Sequence, residues 1–349
     1  MKPSTKLNHI SIGQNPTSGT LGVQRRKAIY TVCQKYDVLI IEDDPYWYLQ
    51  YPSANASSLA ARGVPTSTDA QPGREYNTPN SSGFEFLDSL VPSYLSVDTE
   101  GRVIRLDTFS KTIAPGCRLG WITAQPALVE RILRITETST QQPSGFVQSM
   151  VAELIMGPQT SHDGGRGGSK NGEGWKVDGW VRWLEGLRGC YERRMQTMCG
   201  ILEEGKHLVK SGRRQSMSTD WGVVDKVLMF DFVWPLGGMF VWVKINLFTH
   251  PLYKKIEHVK LSHALWVHMT TEPHRVLVAP GLIFSPTPEI AKEKGWMYQR
   301  LCFAAVDEPD VEATSHRFVA ACNSFWRKKD PKDIEESVRE AVEEGCIPM

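Results

Sequence analysis

Apolar and polar positions fall into blocks along this chain. In residues 22–35, Val23, Ala28, Ile29, Val32 and Cys33 lie near one face at helical spacing, which predicts a helix with that face inward. Val38, Leu39, Ile40 and Ile41 then follow without a polar break. A short β-branched run of this kind predicts a strand buried on both faces, as in parallel sheets. It ends abruptly in Glu42, Asp43, Asp44, Pro45 and Tyr46. Residues 52–100, rich in Ser, Pro, Asn and Gly, predict mostly loop. A second strand is predicted over residues 103–106, running into Asp107, Thr108, Phe109, Ser110 and Lys111, and a third over residues 120–124. Residues 126–138 predict a helix, with Pro126 at its first position. Strand, helix and strand with polar residues at the strand carboxyl ends predict a doubly wound α/β sheet. Ligands of such sheets gather outside those ends, where Asp43 and Lys111 both stand.

The later pattern is different. Residues 157–174 form a Gly-rich polar insert with no preceding strand and no phosphate-loop spacing, which reads as a disordered surface loop. A long helix is predicted over residues 180–211. Turns running into or out of strands are predicted at 237–243 and 276–281, a strand at 300–304 and a helix at 311–325. Residues 330–349 are charged and helix-prone and read as a surface helix or tail. The expected division is therefore a first domain over residues 1–178 and a smaller α+β domain over residues 179–349.

Composition narrows the function classes. The 349 residues are 41% hydrophobic and 23% charged, the balance of a globular protein with a sizeable core. A net charge of +1 and the lack of a basic stripe interleaved with aromatics argue against a nucleic-acid partner. Seven cysteines, an odd number with no CxxC pair, argue against a disulfide framework or a zinc site. Nine scattered histidines without an HExxH pattern predict no metal. Residues 1–13 lack the apolar core of a signal peptide, and no apolar run is long enough to span a bilayer. No membrane association and a cytoplasmic location are the resulting expectations.

Four segments carry candidate chemistry: Gly13-Gln14-Asn15-Pro16-Thr17; Ile41-Glu42-Asp43-Asp44-Pro45-Tyr46; Thr108-Phe109-Ser110-Lys111 through Arg118-Leu119-Gly120-Trp121; and Arg300-Leu301-Cys302-Phe303. Taken singly, each has a plain reading. Asn-Pro-Thr is a turn in most proteins, Asp43 a strand-end acid or helix cap, and Tyr46 a core aromatic. Lys111, Arg118 and Arg300 read as surface cations or salt-bridge partners. In this order and setting, however, the four segments resemble the class I/II aminotransferases of pyridoxal-phosphate fold type I. Within these the chain looks most like the fungal aromatic and 2-aminoadipate aminotransferases, relatives of kynurenine aminotransferase. Residues 84–150 and Pro235-Leu236-Gly237-Gly238-Met239-Phe240-Val241-Trp242 add to the resemblance, which covers almost the whole chain.

The resemblance implies an α/β fold: part of a fold type I large domain, with a mostly parallel sheet whose early strands are missing, plus the smaller α+β domain. It implies pyridoxal 5'-phosphate as cofactor, with Lys111 as its covalent carrier and the catalytic base that moves the substrate Cα proton. Asp43 would pair with the pyridinium nitrogen and keep the ring an electron sink. Asn15 and Tyr46 would bond the ring 3-oxygen. Ser110 and Arg118 would hold the phosphate, joined by Thr108, which stands where many relatives have serine. Arg300, with Asn15 beside the substrate, would clamp the α-carboxylate as a planar fork. The implied reaction is a two-step exchange between an aromatic amino acid, 2-aminoadipate or kynurenine and a 2-oxo acid such as 2-oxoglutarate, in a homodimer. In relatives the Gly-Gln-Asn-Pro segment lies well inside the chain, whereas here it begins at residue 13. An N-terminally truncated chain is therefore expected, in which lost strands leave a sheet edge bare. The alternative reading is an inactive fragment.

Overall fold

The computed structural model describes residues 6–10, 13–64, 81–156, 177–210 and 225–343; the Gly-rich insert at 157–174 lies outside them. The chain forms two compact units. The first comprises Met1–Gln14, Gly19–Pro52 and Asp69–Cys190, the second Asn15–Ser18, Ser53–Thr68 and Tyr191–Met349.

The elements begin with β1 (Lys6–Ile10), α1 (Val23–Lys35), β2 (Val38–Asp43), α2 (Ala54–Ala61) and the single turn α3 (Glu85–Asp88). Next come β3 (Val103–Thr108), β4 (Gly120–Thr123), α4 (Pro126–Thr138), α5 (Gly145–Met156) and α6 (Asp178–Gly205). Then follow β5 (His207–Lys210), β6 (Asp225–Leu228), β7 (Phe230–Phe232), β8 (Phe240–Ile245) and α7 (His258–Thr270). The chain closes with β9 (Ala279–Pro280), α8 (Pro288–Glu293), β10 (Tyr298–Cys302), α9 (Asp310–Phe325) and α10 (Pro331–Glu343).

The first unit is built on a four-stranded sheet in the order β1-β2-β3-β4. The first three strands are parallel and β4 runs antiparallel to β3. Strand β1 is absent from the sequence-based expectation, and its pairing makes β2 an inner strand. In β2, Ile40 and Glu42 are buried while Leu39, Ile41 and Asp43 are half-buried, so one face is sealed and the other only partly. Helix α1 also differs from expectation. It buries Arg26, Tyr30 and Cys33, at i, i+4 and i+7, and leaves Ala28 and Val32 exposed. Partners explain the choice: the Arg26 guanidinium meets Glu42 at 2.6 Å, and Tyr30 Oη donates to Asp98 Oδ1 at 2.8 Å. Tyr30 and Cys33 then pack with Ile40, Tyr94 and Val103 in one apolar cluster.

The second unit holds an antiparallel sheet, β7-β8-β10-β9, and the small β5-β6 ladder. Part of the stretch expected to be loop forms α2 here, held where Ser53 N donates to Glu192 Oε1 at 3.0 Å and Gln196 Nε2 donates to Ser53 Oγ at 2.7 Å. The long helix ends at Gly205, earlier than expected, because β5 begins at His207 and pairs with β6. Helix α10, expected as a surface helix or tail, docks on α7: Ile334 is buried and Val338 packs beside Val267 and Trp266. Phe318 of α9 meets Phe230 edge-on, ring centroids 5.3 Å apart.

Three histidines in this unit pack against α9, His250 and His274 buried and His268 half-buried. Ser324 Oγ lies 2.7 Å from His268 Nε2 and 3.1 Å from His274 Nε2, and His250 Nε2 lies 2.9 Å from the Phe325 carbonyl. Burial, with neighbouring His274 and Lys328, lowers His268 from the ordinary 6.5 to about 4. Burial also lowers His250 and His274. Below pH 6.5 the unfolded chain therefore binds more protons than the folded one, and their contribution, full above that pH, is lost as the pH falls toward 4. The urea midpoint of the chain is expected to drop across this window. A flat profile would count against neutral histidines at these positions.

Candidate active site

In the first unit, β2 and β3 run out side by side. Asp43 stands opposite Leu106, and Asp44 N donates to the Leu106 carbonyl at 3.2 Å. The chain then turns tightly, with Trp47 N on the Asp44 carbonyl and Leu49 N on the Tyr46 carbonyl, and the turn buries Tyr46. From the end of β3 a compact loop carries Lys111. The Phe109 carbonyl accepts from the amides of Thr112, Ile113 and Ala114 at 3.2, 2.9 and 3.2 Å, and Phe109 N donates to the Leu119 carbonyl at 3.0 Å. Phe109 packs against Trp121 and Trp180, and Trp183 Nε1 donates to the Thr112 carbonyl at 2.7 Å. Half-buried Lys111 is thereby held with its Nζ 6.0 Å from the centre of the Tyr46 ring.

The same loop gathers three donors. Thr108 Oγ1 lies 2.9 Å from Ser110 Oγ and accepts from Ser110 N at 3.1 Å. Arg118 adopts a left-handed backbone, φ 47°, which turns its Nη1 toward Ser110 Oγ at 3.4 Å and the Pro115 carbonyl at 3.2 Å. Gly120 follows because a Cβ there would sit 2.5 Å from the Asp107 carbonyl across the β3–β4 pair. Two hydroxyls and one exposed guanidinium at one spot are the donor set that a phosphate monoester takes.

Asn15 and Arg300 belong to the second unit. Arg300 Nη1 donates to Asn15 Oδ1 at 2.6 Å. Its guanidinium carbon lies 4.2 Å from the centre of the Phe240 ring and 4.8 Å from that of Phe284, aromatic faces that hold a planar cation. Ser18 Oγ donates to the Phe240 carbonyl at 2.5 Å, tying the Asn15 turn to β8. Arg300 Nε is buried and has no acceptor among the described residues. Such a donor is free to take the oxygen of a bound acceptor.

The structure thus brings Tyr46 to Lys111, joins Thr108, Ser110 and Arg118, puts Asp43 at the neighbouring strand end, and joins Asn15 to Arg300 in the other unit. Phe240, Phe284 and Trp183 complete these settings but went unnamed as site residues. Phe240 lies inside the Gly-Gly-Met-Phe-Val-Trp segment singled out from sequence, a usable signal, whereas Phe284 and Trp183 carry no local one. Among the described residues no cluster of His, Cys, Asp and Glu could hold a metal ion, and no helix is long and apolar enough to cross a membrane.

This set of strand-end and loop residues, on a mostly parallel sheet followed by an antiparallel sheet with its helices, defines a class. The family model for aminotransferase class I and II matches residues 13–318, and the chain belongs to that family. It is similar to an aromatic amino acid aminotransferase of Schizosaccharomyces pombe, 31% identical over 92% of this chain and 56% of that protein. An L-tyrosine:2-oxoglutarate aminotransferase of Serpula lacrymans is 33% identical over 82% of this chain and 45% of its own length. Among solved structures, aminotransferase Aro8 from Candida albicans superposes with a TM-score of 0.67 at 30% identity, over 92% of this chain and 57% of that one. The chain spans about half the length of these relatives.

Proposed function

We propose that this chain carries the site of a pyridoxal-phosphate-dependent aminotransferase that moves an amino group from an aromatic amino acid, 2-aminoadipate or kynurenine to a 2-oxo acid such as 2-oxoglutarate. The observation that carries this reading is the convergence of Lys111, Tyr46 and the Thr108–Ser110–Arg118 donor set just beyond the carboxyl ends of β2 and β3. The names of the relatives support an aromatic donor and 2-oxoglutarate as acceptor.

When bound, pyridoxal phosphate supplies an electron sink for charge developing at the substrate Cα. Ser110, Thr108 and Arg118 would hold its phosphate, and Asp43 would pair with its ring nitrogen. Asn15 and Tyr46 would bond the ring 3-oxygen. Lys111 Nζ would hold the aldehyde carbon of the cofactor, and the Lys111 amine would be the base placed to take and return the substrate Cα proton. Arg300 receives the substrate α-carboxylate on its fork, with Asn15 Oδ1 fixing one arm and Phe240 and Phe284 fixing the plane. The homodimer is part of the same proposal. Phe146, Met150 and Leu154 form an exposed apolar row along α5, which supports cover by another protein surface.

The test is an absorbance titration of the purified chain with pyridoxal phosphate, followed by borohydride reduction and peptide mapping. Label on Lys111 supports the site. Label scattered over surface lysines favours the inactive-fragment reading. Arg300→Lys is expected to weaken amino-acid binding by roughly 10- to 100-fold while leaving cofactor affinity within about twofold, because a point charge cannot replace the fork. Equal loss of both affinities would count against the role of Arg300.

A further inference from the structure

The two strands that end in Asp43 and the Lys111 loop are also joined on the opposite face of the sheet. Alternation along β2 turns Glu42 and Asp44 away from the side of Asp43. Glu42 stands opposite Arg105 in the β2–β3 register. Arg105 forks onto Asp107, with Nε and Nη2 both at 2.8 Å, and its Nη1 reaches Glu42 at 3.3 Å and Asp44 at 3.7 Å. The guanidinium is capped by the Trp47 ring at 4.8 Å. Glu42, fully buried, also takes Arg26 at 2.6 Å, the Tyr94 amide at 3.0 Å and the Ser93 hydroxyl. Burial works against the charge on Arg105, and the Asp107 carboxylate overrides it, holding the guanidinium more basic than usual.

Three carboxylates and two guanidiniums therefore sit under one strand pair. Apolar side chains of like volume generally stabilise such a place as well or better, so buried ion pairs are best understood where they fix register. Here they flank the two chemical positions: Glu42 and Asp44 bracket Asp43, and Asp107 adjoins Thr108 at the root of the Lys111 loop.

We infer that Arg105 is a positioning residue, its fork locking the carboxyl ends of β2 and β3 in one register so that Asp43 and the Lys111 loop leave the sheet at fixed positions. The inference rests on the roles proposed for Asp43 and Lys111. It is tested first without cofactor, by amide hydrogen exchange on the whole chain. In Arg105→Met, exchange at residues 42–47 and 106–113 is expected to rise about tenfold or more, since breaking one buried pair is strongly destabilising locally, while α1 and α4 change by less than about twofold. Arg105→Lys should fall between, keeping the charge but losing the fork. Tyr30→Phe, a control on α1, should not single out the two strand ends. A uniform rise across the unit in Arg105→Met, or none at the strand ends, overturns the inference. If Arg105→Met fails to fold, Arg105→Lys and Asp107→Asn decide it by the same measure. Titration with pyridoxal phosphate then separates the two readings. A wild-type chain that takes none defeats the proposed site and leaves the exchange result to decide Arg105. A wild type that binds, with Arg105→Met binding equally well on Lys111, overturns Arg105.

Discussion

Lys111→Ala is expected to abolish the visible absorbance band formed with pyridoxal phosphate and to leave the 105–118 peptide unlabelled after borohydride reduction. The loop around Lys111 should survive the change. It is closed by backbone bonds to the Phe109 and Leu119 carbonyls and by the indole of Trp183 on Thr112, none of which uses the lysine side chain. The phosphate donors Thr108, Ser110 and Arg118 are also untouched, so weak, non-covalent cofactor binding should persist. Any amino-group transfer should fall by roughly 10²–10⁴-fold or more, the range for removing a positioned acid-base group. A retained band whose label maps to another lysine would sink the assignment. That result would place the reacting amine away from the carboxyl ends of β2 and β3.

The second large effect is on stability. Arg26→Met removes the partner of Glu42 where both side chains are buried, Arg26 at 1% exposure and Glu42 at 0%. Leaving one member of such a pair behind costs about 3–5 kcal/mol. The Ser93, Tyr94 and Arg105 contacts that remain on Glu42 place the expected loss near about 3 kcal/mol, read as a lower urea midpoint with unchanged slope. Arg26→Met with Glu42→Leu should recover part of that loss, because no lone charge is then buried. A double variant less stable than either single one would mean that Glu42 acts chiefly through Arg105. That outcome would move the weight of the cluster toward the strand-end lock.

Much of the local architecture was legible in the sequence. Pro126 at the first helical position marked α4, whose ends at Pro126 and Thr138 are those expected, and the apolar runs at 38–41 and 103–106 marked β2 and β3. The aminotransferase family and its α/β fold were likewise carried by four short motifs, each contiguous in the chain, and the match over residues 13–318 agrees with them. Where the reading missed, the deciding partner was remote. Sequence periodicity put Ala28 and Val32 inside α1, yet the helix turns Arg26 inward because Glu42, on the next strand, neutralises it. Strand β1 carries no strand signal of its own, because a strand of five residues owes its existence to the ladder it joins, here that of β2.

The sequence by itself determined which residues have the chemistry: an amine at Lys111, a carboxylate at Asp43, hydroxyls at Thr108 and Ser110, and guanidiniums at Arg118 and Arg300. Only the tertiary structure decided their settings. It stacked Phe240 and Phe284 on Arg300, gave one arm of that guanidinium to Asn15, and locked Asp43 and the Lys111 loop over a buried ionic cluster. The physical reason is range. Backbone propensity and apolar spacing act over a few residues. A buried charge is tolerable only where folding delivers its counter-charge, and no local pattern of the chain records where that will be.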